Sequence, residues 1–173
     1  GERRPSLSGF RVSHVFDISQ TDGDPLPTLD IDAVTGDPGQ ATRRLESLAE
    51  SRGVAIEYVE SFDDSRRGDS AGGKIRILAT LDPAALFHVL AHEIGHELLH
   101  WPKDGDRFAR LDKTRVETEA ESVAYAVSCG VGLDPGQHSA TYVGLYDGNL
   151  KALTASLADI QRVSSEILQA ILD

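Results

Sequence analysis

Two histidines four residues apart, with a glutamate directly after the first, are the residues best placed for shared chemistry. They form His92-Glu93-Ile94-Gly95-His96, an HExxH motif. On a helix, residues four apart rise about 6 Å and differ by roughly 40° around the axis, so both imidazoles can reach one metal ion. Glu93 then points at the open side of that metal, where it can take a proton from a bound water. A catalytic zinc needs three protein ligands and one open position. The best downstream source is Glu117-Thr118-Glu119-Ala120-Glu121. Glu117 and Glu121 share a helix face beside an apolar stripe, whereas Glu119 points about 200° from Glu117 and is expected in water. Glu117 is therefore expected as third ligand. Glu121 is expected behind it, orienting a ligating histidine through its other N–H. The exchanged assignment of these two glutamates stays open.

The motif sits in a ladder of His88, His92, His96 and His100, and His96-Glu97-Leu98-Leu99-His100 is a second, overlapping HExxH. The first is preferred because helix secures it on both sides. The second would place its last ligand beside Pro102, where the helix frays. Gly95, inside the first, lets another segment or a substrate come close. His100 is expected as a solvated or capping histidine near the helix C-terminus, where positive charge is favoured. His88 is not expected to bind metal. Cys129 is the only cysteine. It excludes an internal disulfide and a cysteine-rich zinc site, suits a reducing cytoplasm, and is expected in the core.

The elements that must position these residues follow from pattern. Asp82 is an N-cap with Pro83 at the first helical position, and Leu86, Phe87, Val89, Leu90, Ile94, Leu98 and Leu99 give the motif helix a wide apolar surface up to Pro102. Upstream, residues 1–9 read as a flexible arm and Phe10 to Ile18 as a strand. Gln20 to Gly39, rich in Asp, Gly and Pro, reads as a long surface connection. A helix is expected from about Pro38 to Arg52, closed by Gly53, then a strand from Val54 to Val59 and a polar loop from Ser61 to Gly73. Lys74 to Thr80 reads as a strand whose charges suit a sheet edge, where an extended peptide could pair above the metal. Downstream come a charged connector (Lys103 to Lys113) and a helix from Thr114 to Ser128 with the stripe Val116, Ala120, Val123, Ala124 and Val127. A short helix follows from Gln137 to Tyr146. A long amphipathic helix from Leu150 to Leu172 carries the stripe Leu153, Leu157, Ile160, Val163, Ile167 and Ile171. The expectation is an α+β domain over residues 10–173. A small, twisted, mainly antiparallel sheet packs on the motif helix, and the C-terminal half is helical.

Twenty-eight acidic against seventeen basic side chains give a net charge of −11. Such a domain repels phosphate backbones, so DNA binding is not expected from this stretch. No apolar run is long enough to span a membrane and no signal peptide is seen, which points to the cytoplasm. The chain begins with Gly rather than Met, so a piece of a longer protein is expected.

HVLAHEIGHELLH, followed some twenty residues later by ETEAESVAYAV, resembles the zinc-metallopeptidase domain of the ImmA/IrrE regulators and the ArdC antirestriction proteins. The resemblance covers roughly Phe10 to Asp173. The ImmA/IrrE pattern often extends to a further histidine, as at His100, and continues with a helix of the type E-x-x-A-N/D-x-F-A. Its ligand glutamate falls on Glu117 and its Asn/Asp position on Glu121. This chain departs from the pattern in having Glu for Asn/Asp and Val for Phe, and lacks the Leu-Met-Pro that usually ends that helix. VFDISQTDG, KIRILAT and TYVGLYDGN…LTASLADIQRVSSEIL are similar to the C-terminal half of ArdC-like proteins, whose DNA-binding domain would precede Gly1.

The resemblance implies a zincin-like fold and a role in antirestriction, phage or plasmid defence, or DNA-damage regulation. DNA would then be reached through the upstream domain. The expected activity is zinc-dependent hydrolysis of a protein or peptide substrate, with one Zn2+ per chain on His92, His96 and Glu117 and with Glu93 as proton acceptor and donor. Tyr142, Tyr146 or His138 would assist the oxyanion. The rival expectation is a catalytically silent, zinc-stabilised module that docks protein or DNA.

Overall fold

A computed structural model of the chain describes residues 34–101, 113–136 and 150–172. The expected arm, the strand from Phe10 to Ile18, the connector after Trp101 and the helix from Gln137 to Tyr146 lie outside them. So do the Leu153 side chain and the first part of the long connection before Val34.

The element order is α1 (Ala41–Ser51), β1 (Ala55–Val59), β2 (Gly68–Ser70), β3 (Lys74–Leu78), α2 (Pro83–His100), α3 (Lys113–Gly130) and α4 (Leu150–Leu172). This is an α+β fold built on a small mixed sheet. Helix α1 buries Leu45, Leu48 and Ala49. It ends where Gly53 takes a φ of +79° and Val54 donates back to the Ala49 carbonyl at 2.9 Å, a left-handed stop that glycine accommodates without strain. Arg44 reaches across to donate to the Ile171 carbonyl at 2.7 Å, capping the end of α4.

The sheet order is β1-β3-β2. β1 runs parallel to β3, with Ala55 opposite Lys74 and Val59 opposite Leu78. β2 runs antiparallel to β3, with Gly68 opposite Ile77 and Ser70 opposite Ile75. The expectation of a mainly antiparallel sheet is thus met by only one of the two ladders. The expected edge strand is instead the central one. Ile75 and Ile77 point into the core from β3, while its charged residues are held by neighbours. Lys74 pairs with Glu57 on β1 at 2.6 Å, and Arg76 donates through Nε to Asp69 on β2 at 2.9 Å.

The edges among the described residues are β1 and β2, the latter inside the stretch expected to be loop. Gly72 and Gly73, at φ +68° and +91°, make the two-residue turn between β2 and β3. Positive φ at both central positions matches the twist of a hairpin, and glycine adopts it freely.

Asp82 starts α2 as expected, accepting from the Ala85 N–H at 3.0 Å. Phe87, Leu90, Ala91 and Ile94 carry its buried side into the core with Ile75, Ile77, Val123 and Val127. Helix α3 packs along α2, and Gly95 makes the crossing close. A Cβ there would stand 3.3 Å from the Ala120 carbonyl oxygen. The segment that Gly95 admits is therefore α3.

Helix α4 covers α1 and α3 with Ile160, Val163, Ile167 and Ile171, so its stripe closes this core. Leu157, expected in the stripe, is 48% exposed; Ser156 takes the inward position. Cys129 is exposed, because Val127 and Ser128 occupy the buried positions of that turn. An isolated bridge between Thr35 and Asp134, with both bonds at 2.9 Å, ties the segment before α1 to the one after α3.

Candidate metal centre

Helices α2 and α3 bring three ligand atoms together. Nε2 of His92 and Nε2 of His96 are 3.0 Å apart. Oε2 of Glu117 is 3.5 Å from the first and 3.6 Å from the second. Three corners of a tetrahedron with bonds of about 2.1 Å lie roughly 3.4 Å apart, so this triangle suits a zinc-sized ion with borderline-soft nitrogen and hard oxygen donors. His92, His96 and Glu117 are the only such group found among the described residues.

The second ring nitrogens are held. Glu121 accepts from Nδ1 of His92 at 3.0 Å through one oxygen. Its other oxygen meets Nε2 of His88 at 3.1 Å, and Nδ1 of His88 meets the Ser128 hydroxyl at 3.0 Å. Both oxygens of Glu121 are thereby engaged, and Glu117 is the glutamate turned to the paired Nε2 atoms. With its Nδ1–H given to Glu121, His92 turns Nε2 into the site, where a metal ion would displace its proton and take the lone pair.

The electrostatics favour a cation. Burial opposes charge on His92, but the bonds from Glu117 and Glu121 and the charge of Glu93 outweigh it and raise the imidazole to about 9. Glu117 is held well below the ordinary carboxylate range by His92 and His96, against an opposing effect of burial. Glu121 is also lowered: burial pushes it up, and His88 and His92 overcome that. Glu93 moves the other way. Its side chain is buried, at 6% exposure, and burial raises its pKa against the charges of His92 and His96. A carboxylate with raised proton affinity beside two imidazoles is suited to accept and return a proton.

The overlapping motif resolves on the same geometry. The Glu97 carboxylate accepts from the Gly72 N–H at 3.0 Å and the Gly73 N–H at 2.8 Å, so it clamps the β2–β3 turn onto α2. His100 is not solvated but 1% exposed, with Nε2 2.9 Å from Oε2 of Glu119.

Glu119 itself was expected in water and is 4% exposed. Its other oxygen accepts from Nε of Arg115 at 2.7 Å and from the Ser156 hydroxyl at 2.6 Å. The helical angle from Glu117 was right, but α4 covers that side. Burial would raise Glu119, yet His100, Ser156 and Arg115 hold it at about 2.

Sequence reasoning also missed Gly68. On the edge strand β2, a Cβ at Gly68 would lie 2.7 Å from Cγ1 of Val89 and 2.9 Å from Oε1 of Glu93. The Gly72-Gly73 pair just before the β-forming run Lys74–Leu78 was the signal for this hairpin. Tyr142, Tyr146 and His138 lie outside the described residues.

No protein-family model, curated protein or solved structure matches the chain. No described helix is long and apolar enough to cross a membrane.

Proposed function

We propose that the chain is a zinc-dependent metallopeptidase domain of zincin-like fold that hydrolyses peptide bonds of a protein substrate. The observation that carries this reading is the triangle of His92 Nε2, His96 Nε2 and Glu117 Oε2, at 3.0 to 3.6 Å, beside the buried carboxyl of Glu93. Its resemblance to ImmA/IrrE and ArdC-like proteins extends the proposal to antirestriction, mobile-element defence or DNA-damage regulation.

His92, His96 and Glu117 would hold the ion, with Glu121 fixing the His92 ring. Zinc so bound supplies Lewis acidity and lowers the pKa of its water to about 7. Glu93 takes the proton released at the site on its carboxylate and returns it to the departing amine nitrogen. The strand β2, paired only with β3 among the described residues, offers its outer backbone groups to an extended peptide. Gly68 leaves no side chain between that peptide and Glu93.

The test is to load the protein with zinc, incubate it with a mixture of unfolded proteins and read new N-termini by mass spectrometry. Cleavage is expected in the wild type and should drop at least about 100-fold in Glu93→Gln, with zinc retained in both. A zinc-loaded wild type that produces no new termini would favour the docking-module reading.

A further inference from the structure

His96 differs from His92 in how its second nitrogen is held. Among the described residues no carboxylate is hydrogen-bonded to it directly. Its Nδ1 meets Nδ1 of His100 at 3.3 Å, and the far side of that ring, Nε2, meets Oε2 of Glu119 at 2.9 Å. His100 and Glu119 are both buried. The direction of this chain of bonds is set at its carboxylate end. An ionised carboxylate only accepts, so the proton of His100 sits on Nε2. With a single proton on His100, its Nδ1 is a lone pair, and only an N–H on His96 Nδ1 can bond to it. The lone pair of His96 is thereby sent to Nε2, the atom in the triangle with His92 and Glu117.

We propose that Glu119, acting through His100, is a positioning residue of the metal site: it fixes the tautomer of His96 from a turn away, as Glu121 fixes that of His92 by direct contact. The inference rests on the metal-site reading above. It gives separate roles to the two carboxylates on α3 that do not face the ion. It also explains why a buried, acidic position is braced by Arg115 and by Ser156 of α4.

An isosteric exchange reverses the chain. In Glu119→Gln the side-chain oxygen still accepts from Arg115 and Ser156, so the amide N–H turns to His100 Nε2. His100 must then accept there and carry its proton on Nδ1. His96 Nδ1 becomes the acceptor, and its proton moves to Nε2, in the way of the metal. Ser156→Ala instead removes one bond and keeps the carboxylate.

The test measures zinc affinity by competition with a chromophoric chelator. Side-chain 15N spectra of the histidines in the whole chain, free of zinc and loaded, give the tautomers. Glu119→Gln should bind zinc about 10–100-fold more weakly, with an unchanged circular dichroism spectrum. Ser156→Ala should unfold at lower temperature yet bind zinc within about threefold of wild type, since the carboxylate remains. The wild-type spectrum should show the proton on Nδ1 of His96 and Nε2 of His100. A folded Glu119→Gln with wild-type zinc affinity, or a wild-type proton on His100 Nδ1, overturns the proposal. That second readout needs no variant, so misfolding of Glu119→Gln leaves the proposal decidable. A wild type that binds no zinc but shows these tautomers removes the hydrolase reading while the hydrogen-bond chain stands.

Discussion

Gly68 on the edge strand stands directly against Glu93 on the motif helix, with room for a hydrogen but not for a methyl group: an added Cβ would fall 2.9 Å from the Glu93 Oε1. The sheet edge and the Glu93 carboxyl thus meet at one close contact. Gly68→Ala must push Val89 and Glu93 or lift β2. A loss of roughly 1–3 kcal/mol in stability is expected from the overpacking. Turnover should fall while zinc affinity stays near wild type, because none of the three ligands is touched. Denaturant unfolding, zinc titration and peptide cleavage on one preparation check all three.

Glu97 tests the scaffold. Its two bonds to the Gly72 and Gly73 amides hold the hairpin on α2. Glu97→Ala should cost about 1–3 kcal/mol, the range for buried hydrogen-bonding groups left without their partner. Amides 68–74 should exchange hydrogen faster, and zinc binding should persist. Were Glu97 instead the proton acceptor of the overlapping motif, this variant would retain stability and lose turnover.

Asp69 gives the pH dependence. The bond from Arg76 lowers its pKa below the ordinary 3.8, against the opposing effect of burial, with Arg66 adding to the effect. A carboxylate depressed in the folded state stabilises it above the unfolded value, and this contribution fades as pH falls through the folded value. Asp69→Asn should therefore be less stable than wild type at pH 7. The difference should shrink below pH 3.8 and vanish at lower pH. Melting temperatures across that range, compared between the two proteins, provide the check.

Much of the architecture was legible in the sequence because it depends on local rules. Asp82-Pro83 starts α2, Gly53 ends α1, the stripe of α3 is buried, and those of α1 and α2 are buried except for the partly covered Ala41, Leu86, Leu98 and Leu99. His92 and His96 could be paired from helical spacing, Glu117 was expected as third ligand with the exchange for Glu121 left open, and the structure gathers His92, His96 and Glu117 into one group.

What was not legible depends on partners far along the chain. Glu119 read as solvated from its helical angle to Glu117, and His100 as solvated or capping from its place at the helix end. They are buried because each satisfies the other and α4 closes over them with Ser156, a serine standing where a stripe normally has an aliphatic residue. Strand β3 looked like an edge because Lys74 and Arg76 are charged, but Glu57 and Asp69 on the flanking strands take both charges. The short β2 carries no apolar alternation, and only its glycine turn betrays it.

The central claim is that His92, His96 and Glu117 form one metal site. Metal content of the purified, zinc-reconstituted protein, measured by elemental mass spectrometry beside Glu117→Ala, tests it most directly. The account predicts close to one zinc per wild-type chain, with zinc lost or far more weakly held in the variant. Wild type without zinc, or Glu117→Ala holding zinc as tightly as wild type, would contradict it.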